Sequence, residues 1–162
     1  MKHFIKAVLL LVAVFQLGVV GVSAKEFSDY ESLEPAGMEI LVMEMLEDSM
    51  GDLTDFRLIE WNEGDFDGKA ILLEPTDPEF EFGVVMASMG DRDAMESWDD
   101  MVLSFEELSG NISDLLGDDY MMMMMNPADY DLMILSVWDG ILIYDAVNDY
   151  DVSSIYFNSK GK

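Results

Sequence analysis

Acids recur at alternate positions in Glu63-Gly64-Asp65-Phe66-Asp67-Gly68, and Glu74 follows. This spacing places carboxylates at positions 1, 3, 5 and 12 of a calcium loop and glycine at position 6, with Glu63 standing where aspartate is usual. Pro75 comes directly after Glu74 and turns it away from the exiting helix that such a loop needs. Two readings stay open: a looser divalent-cation site at Glu63, Asp65 and Asp67 in a hairpin loop, with Ca²⁺ as its ion, and a plain polar turn.

A second candidate is the run Met121 to Met125, because thioether sulfur is a soft ligand for Cu(I). Methionine is also an adaptable core filler. On a strand Met121, Met123 and Met125 would face one way and Met122 and Met124 the other, which suits a strand covered on both sides. Carboxylate acid–base catalysis needs two facing acids in different environments. No motif selects such a pair from the 34 acids.

Other chemistry is excluded by composition. The chain has no cysteine, and its single histidine, His3, sits in an N-terminal segment that reads as an export signal. Lys2, His3 and Lys6 form a basic start, Ala7 to Val22 is apolar, and Val22-Ser23-Ala24 is a small-residue cleavage site. A chain cut there has neither imidazole nor thiol. Zinc sites of the His/Cys type, a Ser-His-Asp triad and a cysteine nucleophile are then unavailable. The expectation is a non-catalytic protein, secreted or periplasmic, with no cofactor unless Ca²⁺ or Cu(I) is bound; an unrecognised carboxylate hydrolase is the remaining enzymatic alternative.

Beyond the signal, six bases stand against 34 acids, a formal charge of −28. Such a surface repels nucleic acid and anionic membranes, which bind proteins through Lys and Arg. It favours a cationic protein or peptide, or serves as a hydrated coat. Tyr144 and Tyr150, beside Asp145, Asp149 and Asp151, are candidate aromatic anchors for such a partner. Asn111-Ile112-Ser113 also fits a glycosylation acceptor.

These residues need elements to hold them. Residues 25–34 read as a flexible acidic lead-in, 35–157 as one domain and 158–162 as a tail. From Pro35, apolar residues at Met38, Leu41, Val42, Met45 and Leu46 predict a helix stopped at Gly51. Leu53 to Trp61, Ala70 to Leu73 and the alternating Glu79 to Met86 predict a three-strand meander, with a polar loop from Asn62 to Gly68. Met95, Trp98, Met101, Val102, Phe105 and Leu108 predict a second helix, broken near Gly110-Asn111 and resumed to Leu116.

Strands follow at Tyr120 to Met125, Tyr130 to Trp138 and Ile141 to Val147, with a two-residue Asp139-Gly140 turn and a further short strand at Ile155 to Phe157. The expected fold is α+β: an antiparallel sheet of five to six strands with two amphipathic helices on one face, in the order α-β-β-β-α-β-β-β. That order resembles the small acidic chaperones of bacterial secretion systems, in topology alone.

Overall fold

The structure is a computed structural model, in which Lys6 and residues 35–63 and 66–152 are described. The expected signal segment (Lys6 apart), the acidic lead-in, the tail and the strand at Ile155 to Phe157 lie outside the described residues. The fold is α+β, with three helices, α1 (Pro35–Met50), α2 (Pro78–Ser88) and α3 (Arg92–Leu116), among the described residues. One sheet holds six strands: β1 (Thr54–Glu63), β2 (Phe66–Pro75), β3 (Tyr120–Asn126), β4 (Asp129–Trp138), β5 (Ile141–Asp145) and β6 (Tyr150–Asp151).

Strands neighbour one another in chain order, and all pairs but one are antiparallel. The exception is β2 with β3, where Lys69 to Leu73 lie beside Tyr120 to Met124 in parallel. Between those strands the chain crosses the sheet through α2 and α3 and re-enters at the same end, which requires the parallel sense. The all-antiparallel expectation is corrected at this one pair, and β3 becomes an interior strand.

The segment Glu79 to Met86 is helical, which corrects the strand expected there. Asp77 is the N-cap, its side chain accepting from the Glu79 N–H, and Pro78 fills a first-turn position where a missing N–H costs nothing. Phe80, Val84 and Ala87 are the buried positions, and their spacing of four and three is helical. The alternation of Phe80 with Phe82 is fortuitous, since Phe82 is 66% exposed. With this change the run of three strands disappears, and with it the order on which the likeness to acidic chaperones rested.

Helix α3 runs unbroken through Gly110 and Asn111 for 25 residues, correcting the expected interruption. Asp91 caps its start, accepting from the Ala94 N–H, and Gly117, at φ 96°, ends it. The helix passes beside the β4–β5 turn at Gly110, where a β-carbon would lie at an ordinary contact distance of 3.7 Å from the Cα of Gly140. In that turn Asp139 and Gly140 have φ of 50° and 72°, as the Asp-Gly pair predicts.

All three helices pack on one sheet face. Val42, Leu46 and Met50 of α1, Phe80 and Val84 of α2, and Trp98, Met101, Phe105 and Leu108 of α3 share one core with Ile71, Leu73, Met122, Met124, Leu135 and Val137. The other face carries a smaller cluster of Phe66, Ala70, Leu72, Met121, Met123 and Ile143, flanked by Trp61 and Trp138. Phe66 meets Trp138 edge to face, with ring centroids 5.3 Å apart.

Candidate functional site

The expected metal loop is drawn out by the β1–β2 hairpin. The strands extend to Glu63 and resume at Phe66, so Asn62 and Asp67 are cross-strand partners and Asp67 is an exposed strand residue. Asp65 and the side chain of Glu63 lie outside the described residues. Glu74 pairs with Asp55 at the opposite end of the hairpin and forms an ion pair with Arg57. It stands seven residues along the strand from Asp67, about 23 Å at a strand's rise per residue, and cannot close a twelve-residue calcium loop. Among the described residues no group of three or more His, Cys, Asp or Glu is placed to hold a metal ion.

The methionine run divides between the two faces as strand geometry requires. Met122 and Met124 enter the helix-side core, Met121 and Met123 enter the opposite cluster, and Met125 packs against the latter. Met121 to Met124 are buried because both faces of this interior strand are covered, one by the helix-side core and the other by the smaller apolar cluster.

One polar cluster joins α1 to the sheet. Glu39 accepts from Lys69 Nζ and, at 2.7 Å, from the Tyr120 hydroxyl, while Lys69 Nζ lies 5.9 Å from the centroid of the Tyr120 ring. The Lys69 hydrogen bond holds the Glu39 carboxyl below its ordinary range, and the same bond raises the Lys69 ammonium. Burial, helped by the Glu39 hydrogen bond, pushes Tyr120 up to about 12. At neutral pH this is therefore a carboxylate, an ammonium and a phenol. None of the three is a free base or nucleophile, so the cluster clamps helix to sheet.

The pH dependence follows from the sign of the Tyr120 shift. A folded pKa above the ordinary value near 10 stabilises the protein fully below about pH 10, and that contribution disappears as pH rises towards about 12. Tyrosinate absorbance at about 295 nm should include a step near pH 12, and Tyr120→Phe should remove that step. A titration identical in the variant would mean that Tyr120 is not the shifted group.

A second polar cluster is centred on Asp145, which the sequence pattern groups with the surface acids. It is buried instead. Both of its carboxylate oxygens accept from Trp98 Nε1, at 3.0 and 3.1 Å, and it also accepts from the Val147 and Asn148 N–H groups and from Asn148 Nδ2. A register shift produces this. Ser136 faces Tyr144 but Val137 faces Leu142, leaving Ile143 as the extra residue of a bulge and rotating Asp145 onto the helix side. The available signals were Trp98 within an apolar helix stripe, whose N–H needs a buried acceptor, and Asp145 two residues before Val147, whose N–H it accepts in an Asx turn.

Tyr144 and Tyr150 lie on neighbouring strands, but Tyr144 faces Asp151 and Tyr150 faces Asp145. Directly opposed residues share a side of the sheet, so the two tyrosines point to opposite sides. Tyr144 is half-buried and Tyr150 is exposed. Asn111 lies in the middle of α3 with its side-chain nitrogen buried, so the folded chain does not present the glycosylation acceptor.

No helix among the described residues is long and apolar enough to cross a membrane. Compared with known proteins, the chain matches no protein-family model, no curated protein and no solved structure.

Proposed function

We propose that this chain is an exported, non-catalytic α+β binding domain whose acidic surface meets a cationic protein or peptide. The supporting observation is the excess of surface carboxylate. Against 34 acids, the ion pairs among the described residues are Arg57 with Glu74 and Lys69 with Glu39. Those pairs consume two of the few bases, and acids such as Asp48, Asp52, Asp99, Asp100, Glu107, Asp114, Asp118 and Asp119 are left exposed. The resulting field steers basic partners towards the domain and keeps copies of it apart. Tyr144 and Tyr150 remain candidate anchors, one for each side of the sheet.

The test is titration of the chain without residues 1–24 against oligolysine, at ~10 mM and ~1 M monovalent salt, between which the Debye length falls from about 30 Å to about 3 Å. Saturable binding at low salt that weakens by tenfold or more at high salt is expected. Absence of binding at low salt would overturn the proposal. Screening should also raise stability, by on the order of 1 kcal/mol over the same range, as the self-repulsion of the acids is relieved. Thermal melting checks this, and micromolar Ca²⁺ should add nothing to it. Saturable Ca²⁺ stabilisation lost in Asp65→Asn with Asp67→Asn would favour the hairpin cation site instead.

A further inference from the structure

We infer that the outward side of α2 is the docking surface for a cationic amphipathic helix. Phe82, Val85, Met86 and Met89 are spaced by three, four and seven residues and form one stripe, opposite the buried Phe80, Val84 and Ala87. Phe82, Val85 and Met89 are 66%, 46% and 77% exposed, which makes this an apolar face without a partner among the described residues. An apolar stripe of this kind suits the helix-in-groove mode of recognition, in which a partner supplies anchors at the same spacing.

Charge selects the occupant. Glu79 and Glu81 are exposed and fall on the two flanks of the stripe, so apolar contacts in the middle would be bordered by carboxylates on both sides. Tyr130 stands near the N-terminal end, its hydroxyl bonded to the Pro75 carbonyl and its pKa raised by burial and by the surrounding Glu74, Asp55 and Glu81. Arg92 follows the C-terminal end, as the one base in the first turn of α3. A second copy would set acids against acids, on a chain whose formal charge is −26. A helix with an apolar stripe flanked by Lys and Arg fits both parts of the surface.

This inference rests on the cationic-partner reading above and assigns its contact residues, so the experiment must separate the two. The probes are two peptides of about 18 residues built from Leu and Lys only. In one the leucines form a helical stripe; in the other the same residues are scrambled so that no stripe exists. The striped peptide is expected to bind at least tenfold more tightly. Phe82→Ser with Met89→Ser should abolish that difference and leave the weaker, charge-driven binding of the scrambled peptide unchanged. Both side chains are exposed, and unchanged circular dichroism and melting temperature confirm that the fold is kept. Glu79→Gln with Glu81→Gln, which preserves the stripe, should weaken the striped peptide severalfold at low salt and not at high salt.

A difference between peptides that survives in the Ser variant would overturn the α2 site, and so would equal binding of the two peptides to the unaltered chain; in both cases the acidic-surface reading stands. Failure of both peptides to bind at low salt would overturn both readings. Self-association that the Ser variant abolishes would make the occupant a second copy and overturn the cationic helix.

Discussion

Trp98→Ala is expected to remove about 3 to 5 kcal/mol of stability, the usual range for truncating a fully buried aromatic. Trp98 has no exposed surface and lies where α3 meets the sheet. The substitution does more than open a cavity, because it also takes the indole N–H from the two oxygens of buried Asp145. Trp98→Phe separates the two effects by keeping most of the ring volume while losing the donor. About 1 to 3 kcal/mol of the loss should remain in that variant. Urea unfolding measures both. If Trp98→Ala costs less than about 1 kcal/mol, the packing of α3 on the sheet is wrong.

Gly68→Ala is expected to cost about 2 to 3 kcal/mol, as overpacking against backbone does. A β-carbon there would fall well inside van der Waals contact distance of the Asp119 carbonyl oxygen and lie 2.9 Å from Phe66 Cζ. The oxygen cannot yield freely, since it accepts from the Lys69 N–H at 2.8 Å at the point where β3 begins its parallel pairing with β2. Gly110→Ala is the contrasting case. Its nearest neighbour would stand at an ordinary 3.7 Å, and the residue is in mid-helix, where alanine is favoured by up to about 1 kcal/mol. The same chemical change should therefore destabilise at one site and be neutral or stabilising at the other. Thermal melting of the two variants decides this, and equal losses would refute the packing assigned to both glycines.

Much of the architecture was legible because it is set locally. The stripe from Trp98 to Leu108 specifies one face of a helix, Asp139-Gly140 specifies a turn with positive φ, and the methionine run specifies a strand with two apolar sides. The misread segment, Glu79 to Met86, carried both periods at once. Phe80, Phe82, Val84 and Met86 satisfy a spacing of two, while Phe80, Val84 and Ala87 satisfy a helical one. The cap at Asp77 and the proline after it settled the competition, and the chain was left with Phe82 and Met89 in solvent.

The sequence by itself determined the chemical limits of this protein: a large excess of acids over bases, no thiol, and no imidazole beyond His3. These are sums over residues and need no coordinates. Tertiary structure alone decided which acids belong to the surface and which to the interior. Asp145 reads like its acidic neighbours, yet a one-residue bulge beside Ile143 turns it into the core beneath Trp98, because a strand's faces alternate and one extra residue exchanges them. Glu74, in turn, is in sequence range of the Asp67 loop but is carried to the far end of the hairpin by the extended strand between them. Distance in space depends on pairing register, and register is fixed by long-range contacts that no local pattern encodes.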